Sequence, residues 1–156
     1  MKKYLITITI ITLLIWACGE GKNESGSSDS AKEKLAAKFG LTLWEYENGI
    51  GPIKEKIQLS ELNMSKAKSG EQVFTIKCTQ CHKLDERYTG PALRDVTTRR
   101  SSEYIMNQIL NPEEMAMKHP EAKKLLVQYA NKMTFQNVTQ EETRAILEYL
   151  RSVNNK

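Results

Sequence analysis

Cys78-Thr79-Gln80-Cys81-His82 constrains this chain more than any other five consecutive residues. The protein has three cysteines and two histidines among its 156 residues, and more than half of that small set falls here. Cysteines three apart on a helical turn project from the same side. Two thiols so placed can bond to the two vinyl groups on one edge of a porphyrin. The next residue then brings its imidazole beneath the ring to ligate the iron. The pattern is that of c-type haem attachment, with Cys78 and Cys81 as the linking residues and His82 as an axial ligand. A fold that serves it must enclose a flat, largely apolar group.

Rival chemistries make poorer use of these residues. A thioredoxin-like redox pair expects a βαβ pattern around its Cys-x-x-Cys, and none is visible. A structural zinc site needs a further good ligand at short spacing, and His119 is the only other Cys or His after Cys18. A Cys78–Cys81 disulfide leaves His82 without a role.

The N-terminal end reads as an address. Lys2 and Lys3 precede an uncharged run, Tyr4–Ala17, of fourteen residues. A bilayer-spanning helix needs ~20, so residues 1–17 fit a secretory signal peptide better than an anchor. The run ends at Ile15-Trp16-Ala17-Cys18-Gly19, which resembles a bacterial lipobox and makes Cys18 the expected lipidation site. Acyl chains there would tether the protein to a membrane, at about 0.8 kcal/mol per buried CH₂. Residues 18–30 continue with Gly, Ser and charged residues and nothing apolar to bury, so a disordered tether is expected. The expected location is the periplasmic side, lipid-anchored, and export agrees with the haem motif because bacteria attach c-type haem outside the cytoplasm. Loss of Lys2 and Lys3 reduces the formal charge from +4 to 21 basic against 19 acidic residues, or +2. That excess is too small to argue for nucleic-acid binding.

The remainder predicts an all-α fold. A first helix runs from about Ser65 into the haem turn, with Ala67, Gly70, Val73 and Phe74 on one face. A second covers Ser102 to Leu110, carries Ile105, Met106, Ile109 and Leu110, and is stopped by Pro112. A third spans about Glu121 to Ala130, with Ala122, Leu125, Leu126 and Tyr129 in one stripe. The fourth opens on a capping box, Thr139-Gln140-Glu141-Glu142, and aligns Ile146, Tyr149, Leu150 and Val153. No alternating stretch of strand length stands out. Candidates for a second axial ligand are Met106, Met115, Met117, Met133 and His119. Met106 lies on a core stripe. Met115, Met117 and His119 are expected in a loop after Pro112. Met133, in Asn131-Lys132-Met133-Thr134-Phe135, lies in a loop that can fold over the distal haem face; core filling is its alternative.

From about Ser65 to its end the chain resembles the class I c-type cytochromes, and with the N-terminal features their monohaem bacterial lipoprotein form. Cys78-Thr79-Gln80-Cys81-His82 is similar to the haem motif, Gly90-Pro91-Ala92-Leu93 to the Gly-Pro-x-Leu loop, and Lys132-Met133-Thr134-Phe135 to the distal-methionine loop. The Tyr149-Leu150 pair then matches an aromatic-Leu pair in the last helix. The resemblance implies a cytochrome c-like helical domain over 64–156, wrapped around one covalent haem c. His82 and Met133 would ligate its iron, and the Pro91 carbonyl would accept the second imidazole N–H of His82. Gly70 and Phe74 would cross the last helix near Ile146 and Tyr149. Arg99, Arg100 and Tyr104 would lie near the haem propionates, Tyr104 standing where Trp is common.

Residues 31–63 form an N-terminal extension whose Leu35, Phe39, Leu41, Leu43, Trp44 and Tyr46 are too apolar for a tether. It is expected to cover the haem domain or to dock a partner. The function implied is that of a membrane-tethered single-electron carrier, not an enzyme, serving redox proteins of a respiratory chain and taking no small-molecule substrate. Two alternatives stay open: a permanently bound cytochrome subunit of an oxidase or reductase complex, and a haem enzyme or sensor with an open distal site. From Ser65 onward there are 15 basic and 11 acidic residues, a difference of +4. With Lys83, Lys118, Lys123, Lys124 and Lys132 near the haem segments, that charge could steer an acidic partner.

Overall fold

The computed structural model describes residues 25–154, and among these it contains eight helices and no strand. The chain divides into two units, residues 1–31 and 32–156. The signal-peptide residues 1–17 and the lipidation candidate Cys18 lie outside the described residues. The expected tether needs a correction at its end, because α1 (Ser25–Lys38) already begins at Ser25. Ala31-Lys32-Glu33-Lys34-Leu35-Ala36-Ala37-Lys38 consists of strong helix formers. Once such a segment is helical, each residue added ahead of it gains a hydrogen bond without a new nucleation cost.

Two capped helices form the frame. The Asn63 side chain accepts the Lys66 N–H at 2.8 Å and starts α3 (Met64–Lys77). Thr139 Oγ1 accepts the Glu142 N–H at 3.1 Å while the Glu142 carboxylate accepts the Thr139 N–H at 2.7 Å, and this capping box opens α8 (Gln140–Asn154). The two helices cross at Gly70. A Cβ there would lie 1.9 Å from the Ala145 carbonyl oxygen, so only glycine permits the approach. Next to the crossing, Phe74 and Tyr149 pack with ring centroids 5.1 Å apart. Phe74, Ile146, Leu147 and Leu150 join Ile105, Met106 and Ile53 in the main core.

α4 (Val96–Arg99) leads into α5 (Ser102–Leu110), whose Ser101 cap accepts the Tyr104 N–H at 3.1 Å. Pro112 does not simply stop a helix. Asn111 ends α5, and Pro112 takes the first position of α6 (Pro112–Lys118), where a missing N–H costs nothing. Met115 and Met117 are therefore helical rather than in a loop, and His119 is the N-cap of α7 (Pro120–Tyr129).

Residues 41–63 form a strap, with α2 (Leu43–Asn48) at its start, against α5, α6 and α8. Its anchor is Asn107, fully buried on α5. Asn107 Nδ2 donates to the carbonyls of Asn48 (2.9 Å), Ile53 (3.0 Å) and Gly49 (3.3 Å), and its Oδ1 accepts the Ile53 N–H at 2.9 Å. The Glu103 carboxylate, also buried, accepts the Ile57 N–H at 2.7 Å. A Cβ at Gly51 would lie 2.4 Å from Asn107 Oδ1, and Gly49 has φ +80°. The turn-rich segment Asn48–Pro52 is thus shaped to bring bare backbone onto one amide side chain.

Candidate haem site

α3 delivers the motif. Its last turn passes into Cys78, whose N–H bonds the Phe74 carbonyl at 2.8 Å, and the His82 N–H continues the turn to the Cys78 carbonyl at 2.9 Å. Cys78, Cys81 and His82 all line one cavity. Its walls come from α3, the Gly90–Leu93 loop, α4, α5, α6, α7, the segment before α8 and α8 itself, and they are mostly apolar: Phe74, Leu93, Ile105, Ile109, Leu125, Leu126, Ile146 and Leu150.

The imidazole of His82 is held from one side. Its Nδ1 is 3.0 Å from the Pro91 carbonyl oxygen. With Nδ1–H donating there, Nε2 is left as the free, electron-rich ligand nitrogen. Gly90 packs flat against the ring, and a Cβ at that position would lie 2.5 Å from His82 Cε1. Burial pushes the His82 pKa down, opposed by the Pro91 hydrogen bond, which favours the neutral imidazole a metal needs. Burial, and then the neighbouring Cys81, push the Cys78 thiol up to about 11. A redox-active Cys-x-x-Cys pair instead lowers its attacking thiol, so the environment of Cys78 disagrees with thioredoxin-like chemistry.

The cavity also sorts the candidates for a second ligand. Met133 lines it together with Cys78, Cys81 and His82, and among the described residues no other methionine does. Met106 is 2% exposed in the main core. Met115 is fully buried against Ile50, Tyr104 and Ala122, where its Sδ accepts the Ile50 N–H at 3.1 Å. Met117 points to solvent, 60% exposed. His119 is occupied as well: Nε2 is 3.1 Å from the Tyr46 carbonyl oxygen, and Nδ1 accepts the Glu121 N–H at 3.3 Å. Two residues that sequence reasoning offered as ligands, Met115 and His119, instead hold the strap against α6 and α7.

Arg99, Arg100 and Tyr104 line the same cavity. Arg100 pairs with Glu121 at 2.7 Å and lies 4.9 Å from the Tyr104 ring centroid. Arg99 pairs with Asp95 at 2.8 Å. Tyr104 Oη is buried and has no hydrogen-bond partner among the described residues. A buried hydroxyl calls for a partner, and a haem carboxylate beside Arg100 would supply one. Apolar walls, an orphaned donor beside a cation, a glycine flat against the imidazole and two thiols on the rim all fit haem. Sequence reasoning passed over one wall residue with a polar contact to Met133. Gln108 Nε2 donates to the Met133 sulfur at 3.7 Å, and its only sequence signal is its place one turn after Tyr104 on α5.

A helical domain whose cavity gathers a Cys-x-x-Cys-His turn, a carbonyl-oriented imidazole and apolar walls defines a c-type cytochrome. The chain belongs to the cytochrome c family, whose profile matches residues 67–154. It is similar to cytochrome c from Rhodothermus marinus, with 48% identity over 71% of this chain and 96% of that one and a TM-score of 0.68. It is also similar to an engineered form of that Rhodothermus marinus protein, at 44% identity over 80% of this chain and 99% of the other, with a TM-score of 0.66. A further structure of the engineered form, bound to a carbene intermediate, gives a TM-score of 0.63 at the same identity and coverage. No curated protein matches the chain. A match over 71% of the chain spans about 111 residues, whereas residues 67 to 156 are only 90, so the likeness takes in part of the strap. Membership of the family means that the protein carries a covalently attached c-type haem with its iron, that Cys78 and Cys81 fit the attachment motif, and that the protein works in haem-based electron transfer.

Proposed function

We propose that this protein is a single-electron carrier with His82 and Met133 as the two axial ligands of its haem iron, working outside the cytoplasm and tethered to a membrane through Cys18. The haem supplies an iron that takes up and releases one electron. The chain does the rest. Pro91 fixes the His82 ring, Gly90 lets the loop close on it, and the apolar helices keep water from the cavity. With both axial positions filled by side chains on a fixed frame, a change of oxidation state moves little in the protein.

One observation carries the ligand assignment: of the methionines and histidines considered, Met133 alone shares the cavity with His82. The tether reading rests on the lipobox-like Ile15–Gly19 and on the uncharged run before it. Among the described residues no helix is long and apolar enough to cross a membrane; a lipid on Cys18 is the means of attachment proposed. Redox proteins of a respiratory chain are the partners proposed, met through small transient interfaces and steered by the net positive charge of the haem domain.

Voltammetry of the holoprotein tests the reading. It should show one reversible one-electron couple, and the reduced form should not bind carbon monoxide. Ready carbon monoxide binding would show an open distal position and would favour an enzyme or sensor instead. Co-purification with a large membrane complex at stoichiometric amounts would favour a permanent subunit.

A further inference from the structure

The end of α1 is fixed to the strap. Gly40 takes the left-handed conformation, φ 67°. Its N–H returns to the Ala37 carbonyl and the Leu41 N–H to the Ala36 carbonyl, both at 3.0 Å, a closure that stops the helix and turns the chain. Ala36 is 1% exposed. Lys32 Nζ pairs with Glu47 at 2.6 Å, and the Phe39 ring lies on Tyr46 with centroids 6.5 Å apart. The outer side of the same turns is uncovered. Leu35 and Phe39, four residues apart and so on one side, are 41% and 44% exposed. Lys34 and Lys38, also four apart, flank them, are exposed, and make no ion pair among the described residues. Glu33 falls on the other side of the helix from Leu35.

We propose that this face, Leu35 and Phe39 with Lys34 and Lys38 beside them, lies on an anionic bilayer as a second membrane contact next to the lipid on Cys18. The inference rests on the proposed tether. Three features support it. The first is chain order. Seven residue steps separate Cys18 from Ser25, where α1 begins. They reach at most about 25 Å, so the anchor keeps the start of α1 within that distance of the headgroups. The second is pattern. Exposed apolar side chains with lysines at their edge are the mark of a helix lying in the interface plane. Lysine stems can run along the apolar side while their ammonium groups stay among the headgroups. The third is charge, since two unpaired cations next to the anchored end of the chain complement anionic lipid. A soluble protein would have to enter the gap between domain and bilayer to reach this face.

The contact has a consequence for electron transfer. A lipid alone leaves the haem domain free to turn about its attachment. A second contact on α1, which is fixed to the strap and through it to the haem domain, limits that turning and biases which side of the domain faces outward.

The experiment uses the full lipidated holoprotein. Mass spectrometry of its N-terminal peptide should first show acyl chains on Cys18; without them the tether reading fails, and the contact with it. With Cys18 acylated, amide hydrogen exchange of residues 35–41 is compared in protein-free vesicles of phosphatidylcholine alone and of phosphatidylcholine with phosphatidylglycerol. Exchange should be slower in the anionic vesicles by about tenfold, as expected for two lysines near an anionic surface, while α8 shows no such difference. Each variant is referred to itself in the neutral vesicles, so a change in helix propensity cancels. Lys34→Gln with Lys38→Gln should bring the ratio close to one, and so should Leu35→Ser with Phe39→Ser. All four side chains are exposed, so both variants keep the fold. A wild-type ratio near one, a ratio unchanged in both variants, or equal slowing in α8 overturns the proposal. Slowing in native membranes but not in protein-free vesicles assigns the face to a protein partner and overturns it too.

Discussion

Gly90→Ala should raise the reduction potential and destabilise the holoprotein at the same time. The added Cβ would stand 2.5 Å from His82 Cε1 and 2.8 Å from Nδ1, whereas ordinary contact begins at 3.4 Å. The imidazole must therefore retreat by about 0.9 Å, or the Gly90–Pro91 backbone must move by as much. Either movement takes the 3.0 Å contact to the Pro91 carbonyl past the ~3.2 Å limit of a good N–H···O bond. Losing that bond costs about 1 kcal/mol, and the strained packing adds roughly 1–3 kcal/mol. The bond also makes His82 a better electron donor to the metal. Without it the oxidised iron is less well stabilised. If the two oxidation states differ by about 1 kcal/mol in this respect, the potential rises by about 40 mV. Spectroelectrochemical titration gives the first quantity and urea unfolding of the holoprotein the second. An unchanged potential with an unchanged unfolding midpoint would refute the argument, since it would mean that the Gly90–His82 contact and the Pro91 bond do not govern the ligand.

Asn107→Leu should cost about 3 kcal/mol in urea unfolding, because it leaves the Ile53 N–H and several strap carbonyls buried without partners; a loss under about 1 kcal/mol would show that the strap is not held by this side chain. Stability should also fall as pH drops below about 6.5, the ordinary histidine value. Burial holds the His119 pKa down, against the opposing hydrogen bond to Tyr46, so below that pH the unfolded chain binds more protons than the folded one and unfolding gains. Unfolding curves between about pH 7 and pH 5 should show a smaller loss in His119→Gln than in the wild type; equal losses would assign the acid effect elsewhere. Gly70→Ala should be far more damaging than an ordinary helix substitution, since its Cβ would meet the Ala145 carbonyl at 1.9 Å, and failure to lose stability would contradict the α3–α8 crossing described above.

The parts of the fold legible in the sequence are those governed by local chemistry. The Thr139–Glu142 capping box, the apolar face of α5 and the Gly70–Phe74 face of α3 each follow from spacing that a helix repeats. Pro112 reads in the sequence as a stop, but proline is equally at home as a first helical residue, and only the preceding Asn111 turn distinguishes the two. The strap was harder to read for a different reason. Its anchors, Asn107 and Glu103, are polar residues that look solvent-facing on a helix, yet both are buried because they satisfy backbone 46 to 59 residues away. No local pattern records a partner at that distance. His119 and Met115 look like ligands for the same reason: their chemistry suits a metal, but their hydrogen bonds go to Tyr46, Glu121 and Ile50. The Cys78–His82 motif was legible because cofactor chemistry fixes residue type and spacing, and Met133 stands out as a ligand candidate on residue type alone; Gln108 does not, because an amide beside a sulfur has no required spacing.

His82 and Met133 are proposed to fill the two axial positions of the haem iron together. The most direct measurement is the absorption spectrum of oxidised holoprotein and of its Met133→Ala variant. The wild type should show the weak far-red methionine–iron band, and Met133→Ala should lose it while the haem stays covalently bound to Cys78 and Cys81. A band that survives in Met133→Ala, or that vanishes instead in Met115→Ala or Met117→Ala, would contradict the account.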